Sequence, residues 1–417
     1  MTRFAGRFAR VEPRRLAGDA VRGSMSDVAV KNCWTLAEHA GHESPDGLQH
    51  LLCKAKWDDD GMRDDLRDYV VDRLGSLDAL LVVDETGDVK KGTHTVGVQR
   101  QYTGTAGRIE NAQVAVYLTY ASLSGHALID RELYLPQVWA DDADRRSQAG
   151  VPAEVEFATK PALAAEMITR ALDAGVKAGW VAGDEVYGAD PTLRETLEDR
   201  DVGYVLAVAC NHQVRTDAGK FRADELAASL PCKAWQRLSA GNGSKGPRYY
   251  DWAWISIQPE RAKVEGQWWL LIRRNNTTGE LAYYRCWAPA PMPLRQLVRV
   301  AGRRWTIEES FQASKTLAGL DQHQVRRWTS WRRWTLLAML AYAFLAVVAV
   351  TEKADNPVPQ EHSLIALTCN EIKRLFNTFI NQPMRDLRHQ LRWSIRRRRH
   401  QHRARTSHYH RRQAIPT

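Results

Sequence analysis

The sequence predicts an α/β fold: a mixed β-sheet with helices on its faces, preceded by a helical region and interrupted by a β-rich insertion. Three observations predict it. Apolar runs such as Leu80-Leu81-Val82-Val83 and Trp180-Val181-Ala182, bounded by Gly and polar residues, have the composition of buried strands. Residues 161–174 have helical periodicity and separate strand-like segments, the alternation expected of helices packed on a sheet. Between Cys210 and Arg295 the pattern changes to alternating, aromatic-rich runs divided by turns.

The elements follow in order. Residues 1–76 read as helical: Ser44-Pro45-Asp46 has the form of a helix start, and Trp57-Asp58-Asp59-Asp60 precedes an amphipathic run through Leu74. The acids of 58–72 could mimic a metal cluster, but acids in a first helical turn are favoured by the macrodipole. Strands at 80–84, 96–102 and 112–120 are spaced as a meander, with Gly104 and Gly107 turning the last pair. The helix over 161–174 leads to a strand ending at Asp184, a helix after Pro191, and a strand over 204–209. Runs at 249–257, 267–274 and 281–287 form the β-rich insertion, and a helix follows it around residues 304–318.

The net charge of +10 is concentrated. Residues 385–417 hold eleven arginines and one aspartate, so residues 1–384 sum to zero. Such a block, including Arg396, Arg397, Arg398 and Arg399, has the character of a solvated or disordered nucleic-acid arm. Residues 292–334 add nine Arg/Lys against three acids, interleaved with Trp305, Trp328, Trp331 and Trp334, as a DNA channel requires. Six scattered cysteines without a Cys-x-x-Cys pair point to free thiols in a reducing cytoplasm. The Arg-rich start lacks the apolar stretch of a secretory signal. Residues 334–350 run 17 positions without a charge, short for a membrane span and expected as a buried core helix.

The segment Arg303-Arg304-Trp305-Thr306-Ile307-Glu308-Glu309-Ser310-Phe311-Gln312-Ala313-Ser314-Lys315 carries the most chemistry. On a helix, Arg304, Glu308 and Lys315 fall within an arc of about 40°, beside an apolar stripe of Ile307, Phe311, Ser314 and Ala318, with Glu309 on the far side. Asp84 and Asp184 each end an apolar strand, where a carboxylate would stand at the mouth of the sheet. Glu85 and Glu185 follow them, but successive strand side chains alternate in direction, so one acid of each pair is expected at a shared point.

These residues resemble the DDE transposases of bacterial insertion sequences, in the branch whose glutamate lies in a Tyr-x2-Arg-x3-Glu-x6-Lys signature. Arg304, Glu308 and Lys315 match that spacing, and the pattern selects Glu308 over Glu309. The segments around Asp84 (Val83 to Gly92) and Asp184 (Gly183 to Gly188, with Tyr187) resemble the two aspartate motifs. Ala301 takes the signature tyrosine position, and Val186 stands where a small residue is common.

The resemblance implies a ribonuclease H-like core, with Asp84, Asp184 and Glu308 as catalytic metal ligands and Arg304 and Lys315 holding DNA phosphates. Three carboxylates suit Mg²⁺ or Mn²⁺, two ions being expected. It implies DNA partners (terminal inverted repeats and target DNA), a homodimer on DNA, a cytoplasmic location and no membrane role. The expected organisation is 1–76 for binding DNA ends, 77–210 as the first part of the catalytic core, 211–294 as the insertion, 295–384 as the second part, and 385–417 as the arm. In relatives a tryptophan of the insertion stacks on a flipped base; Trp252, Trp254, Trp268 and Trp269 are placed for that or for packing the insertion's core. A catalytically silent DNA-binding protein derived from a transposase remains the alternative function.

Overall fold

The computed structural model describes residues 1–76, 78–243, 246–259, 265–356, 364–384 and 386–413; Leu77 and Arg385, at two of the expected boundaries, lie outside the described residues, as does 414–417. Four helices come first: α1 (Val11–Ser24), α2 (Cys33–His39), α3 (Asp46–Cys53) and α4 (Asp59–Leu74). The acids around residue 58 start a helix and tie it to the core. Asp58 caps α4 by accepting from the Gly61 amide at 2.8 Å, and Asp59 pairs with Arg332 and Arg333 at 3.4 Å.

The sheet is built from β1 (Leu80–Val89), β2 (Gln99–Thr103), β3 (Arg108–Ala121), β4 (His126–Leu133), β5 (Trp180–Gly183), β6 (Gly203–Val208), and the later strands β9 (Gln236–Gly243), β10 (Gly246–Ile257), β11 (Gln267–Arg274) and β12 (Leu281–Ala288). Its order is β2-β3-β1-β5-β6-β12-β11-β10-β9, with β4 paired to β3, while β7 (Gln213–Thr216) and β8 (Gly219–Arg222) form a separate hairpin. The centre, β1-β5-β6, is parallel and both flanks are antiparallel. Helices α5 (Gln137–Ala140), α6 (Ala143–Ala149), α7 (Lys160–Asp173), α8 (Glu185–Gly188), α9 (Pro191–Glu198) and α10 (Ala223–Ala228) intervene. After the sheet come α11 (Leu294–Arg303), α12 (Trp305–Ala318), α13 (Trp328–Asp355), α14 (Cys369–Phe379) and α15 (Leu387–Gln413). This mixed sheet with flanking helices fits a ribonuclease H-like core.

Several expectations need correcting. β1 continues to Val89, so Asp84 lies within the strand and not at its end. The meander gains β4, although Asp130-Arg131-Glu132 lacks the composition of a buried strand; these charges are buried because Arg170 pairs with Asp130 and Glu132 at 2.8 Å. The insertion's strands extend the main sheet, since β12 pairs with β6 from Tyr283↔Val208 to Trp287↔Tyr204. The arginine block is not a disordered arm: α15 is helical, and Trp393, fully buried, donates to the His42 carbonyl at 2.8 Å and packs edge-on against Trp34.

Helix α13 contains the uncharged stretch. It is long and apolar enough to cross a membrane, yet 72% of its most apolar window is buried, against α1, α3, α4, α12 and β4. Of the four interleaved tryptophans, Trp328, Trp331 and Trp334 belong to this core, while Trp305 is 51% exposed. All six cysteines are free thiols.

Candidate active site

A cleft of about 1000 Å³ opens where β5 stops. β5 pairs with β1 only from Leu80↔Trp180 to Val82↔Ala182. Beyond Val82 that side of β1 has no strand neighbour, because the chain turns at Asp184 into α8. Asp184 caps this helix, accepting from the Val186 amide at 2.9 Å. Gly188 permits the turn: a Cβ there would lie 1.9 Å from the Ala207 carbonyl oxygen of β6.

Helix α12 is seated over Asp84 through the sheet register. Asp84 pairs with Tyr117 on β3, and the Tyr117 ring meets Phe311 of α12 edge-on, with centroids 5.4 Å apart. Opposed residues share a sheet face, so α12 lies on the face that presents Asp84. At the junction with α11, Gly302 allows close approach to β9, since a Cβ would come within 1.9 Å of the Ala240 carbonyl oxygen. Arg248 ties the same turn by donating to the Gly302 carbonyl at 2.9 Å.

Asp84, Asp184, Glu308, Arg304 and Lys315 all line this cleft, with Ala301 and Val186 beside them. Arg304 donates to Glu308 Oε1 at 3.0 Å and reaches Asp84 Oδ2 at 3.5 Å. Lys315 donates to Thr86 Oγ1 at 2.7 Å and Thr105 Oγ1 at 3.4 Å. Glu309 points elsewhere, to His126 Nε2 at 3.3 Å. Arg396 and Arg397 stand apart on α15, facing Asp46 at 4.0 Å and Glu38 at 2.5 Å; Arg398 and Arg399 are exposed.

Glu85 corrects the alternation argument, for it lines the cleft together with Asp84. With no neighbouring strand on that side, both carboxylates reach open space. Glu85 accepts from Tyr187 OH at 2.7 Å and pairs with Lys160. The signal for it in the sequence is the Tyr187 offset, which places a hydroxyl one helical turn past Asp184. Burial, then the charge of Asp184, pushes the Asp84 carboxyl up to about 8, against the opposing pull of Arg304. Burial and Glu85 also raise Asp184, and burial raises Glu308.

Among the described residues, no three His, Cys, Asp or Glu side chains stand as a ready-made ligand set. The donor chemistry nevertheless fits a hard divalent cation: the candidate ligands are all carboxylate oxygens, and their mutual repulsion is relieved by a bound proton or by positive charge. Arg304 supplies that charge between Asp84 and Glu308.

The acidic cleft thus lies beside the parallel centre of a mixed sheet consistent with a ribonuclease H-like core. Residues 3–228 match the family described as DDE superfamily endonuclease, and the chain belongs to it. Residues 158–344 also match the family described as Transposase DDE domain. The chain is 31% identical over 195 residues to a probable transposase for insertion sequence element IS701 from Microchaete diplosiphon, covering 46% of this chain and 48% of that relative. The match thus spans about half the relative's length.

Proposed function

We propose that this protein is a DNA transposase that cleaves the ends of an insertion sequence and joins them to target DNA. Asp84, Asp184 and Glu308 are its metal-holding acids. The observation that carries this reading is Arg304 lying between Asp84 and Glu308, which marks a place where carboxylates from two elements share one positive charge.

Asp84 with Asp184 would hold one Mg²⁺ or Mn²⁺, and Asp84 with Glu308 a second. When bound, such a pair activates a water or 3′-hydroxyl and stabilises the leaving oxygen of an in-line phosphoryl displacement. Lys315, fixed by Thr86 and Thr105, holds a phosphate beside the scissile bond. Arg304 passes from the acids to a second phosphate, which its planar fork can grip with two hydrogen bonds. Glu85 has its own cation in Lys160 and acts here as a positioning residue for Tyr187 and the start of α8.

Arg304, Glu308 and Lys315 carry the spacing of the Tyr-Arg-Glu-Lys branch, with Ala301 in place of its tyrosine. Residues 1–76 would read the terminal inverted repeats and Arg396 to Arg399 would hold duplex phosphates. The protein would work as a homodimer on DNA in the cytoplasm, at the nucleoid and without a membrane.

The test is a gel assay of purified protein on duplexes carrying the inverted repeats that flank its gene. Metal-dependent cleavage at the repeat ends is expected. Sequence-specific binding without cleavage under any divalent metal would instead establish the catalytically silent DNA-binding protein.

A further inference from the structure

Away from the acidic cleft, a cavity of about 290 Å³ opens between the loop after β1, helices α5 and α6, and the loop joining α12 to α13. Arg145, Arg326 and Arg327 face it together with His94, and no carboxylate lines it. Arginines elsewhere in the protein are neutralised: Arg303 meets Asp78 at 2.5 Å, Arg332 meets Asp59 and Glu132 at 3.4 Å, and Arg170 meets Asp130 at 2.8 Å. Among the described residues, no carboxylate pairs with Arg145, Arg326 or Arg327. Three guanidinium groups around one cavity repel each other unless an anion sits among them.

The cavity is built from fixed parts. The Arg145 guanidinium lies 3.8 Å from the Trp139 ring centroid, and Trp139 is anchored by donating from Nε1 to the Val98 carbonyl at 2.8 Å. Arg145 Nη2 also donates to the Thr93 and Val98 carbonyls at 3.4 and 3.5 Å, which fixes the guanidinium in place while leaving its charge without a carboxylate partner. The Val96 amide donates to the Arg326 carbonyl at 3.0 Å, which ties the two loops together. Trp139 is only 2% exposed, so its ring supports Arg145 and is closed to a base. A closed ring offers no stacking platform, so the charge facing the cavity suits a phosphate. Its connection to the cleft is short in the chain: Lys315 lies on α12, and the loop leaving that helix carries Arg326 and Arg327.

We infer that this cavity is a second DNA-backbone site, where Arg145, Arg326 and Arg327 hold phosphates of duplex lying beyond the cleavage cleft. The inference rests on the transposase reading, since it takes the polyanion to be the DNA that enters that cleft.

The test uses the full chain and measures equilibrium binding of a long duplex carrying one element end, over a series of salt concentrations. Arg326→Ala/Arg327→Ala should lower the slope of log affinity against log salt by about two, one for each phosphate that is no longer neutralised. It should weaken random and end-bearing duplexes alike. Arg326→Glu/Arg327→Glu should weaken both further. These arginines are exposed, so an unchanged melting temperature is expected and confirms that the fold is kept. Arg145→Lys, which keeps the charge but loses the flat fork, should reduce affinity less than the double alanine variant. An unchanged salt slope in the alanine and glutamate variants, while wild type cleaves its end duplex, would overturn the second site and leave the transposase reading intact. A wild-type protein that neither binds nor cleaves DNA would remove both.

Discussion

Arg304 and Glu308 lie one helical turn apart and their side chains meet, Nη2 to Oε1 at 3.0 Å, while the other arm of the same guanidinium reaches Asp84 at 3.5 Å. A pair on one helix is thereby coupled to a strand 220 residues earlier. An isolated i,i+4 ion pair contributes only about 0.2–0.5 kcal/mol. Its importance here is electrostatic: the cleft is arranged for positive charge, and Arg304 supplies it.

The first prediction concerns which acids matter. Asp84→Ala, Asp184→Ala and Glu308→Ala should each reduce metal-dependent cleavage to background and leave DNA affinity within a few-fold of wild type. Glu309→Ala should retain cleavage, because Glu309 is turned to His126. Parallel gel-shift and cleavage assays check this; equal loss of binding and cleavage would make the acids structural.

The second concerns pH. Asp84 is pushed up to about 8 in the folded protein, against about 4 when unfolded. A raised carboxyl stabilises the fold fully below its unfolded value, and that contribution is lost as pH rises from about 4 through about 8. Asp84→Asn should therefore gain stability relative to wild type across that window, by an amount on the order of a few kcal/mol. Thermal melts at pH 5 and pH 8 measure it. Metal binding must also displace the proton, so apparent Mg²⁺ affinity should rise with pH and level off above about 8.

The third separates core tryptophans from an exposed one. Trp252 is fully buried on β10 and Trp269 stacks on Trp254 at 5.6 Å, so Trp252→Ala should cost about 3–5 kcal/mol of stability. Trp305, half-exposed at the cleft beside Glu308, should leave the melting temperature nearly unchanged when replaced by Ala. If it stacks on a base, DNA binding should weaken by about 1–3 kcal/mol. Melting curves and binding isotherms of the two variants decide the matter.

The fourth concerns the tail. Removing everything from residue 385 would delete Trp393 and expose Trp34, mixing a folding defect with a binding one. Replacing Arg398 and Arg399 by Ala avoids that, since both are exposed on α15. Affinity should fall alike for all sequences and the salt slope should flatten by about two. An unchanged slope would remove the tail from DNA binding.

Much of this is legible in the sequence where a single physical signal dominates. Apolar runs locate β1, β5 and β6, and the helical phase of residues 304–315 puts Arg304, Glu308 and Lys315 on one side and Glu309 on another. What stays hidden depends on partners far along the chain. β4 is masked because its Asp130, Arg131 and Glu132 are buried with partners far along the chain, among them Arg170 and Arg332. Strand alternation sets Glu85 aside, but that rule assumes a neighbour on both sides; β5 ends too early to provide one. Composition alone makes the tail a solvated or disordered arm, yet Trp393 donates to the His42 carbonyl, His389 meets the Glu38 carbonyl and Arg397 pairs with Glu38, which dock its first turns.

The most direct measurement is diffraction from crystals soaked in Mn²⁺ at pH 8, collected at a wavelength where manganese scatters anomalously. One or two peaks are predicted in contact with Asp84, Asp184 and Glu308, with the Arg304 guanidinium withdrawn from between the acids. Bound manganese elsewhere with this cleft empty, or a peak ligated by Glu309 with Glu308 turned to solvent, would contradict the assignment of the three acids.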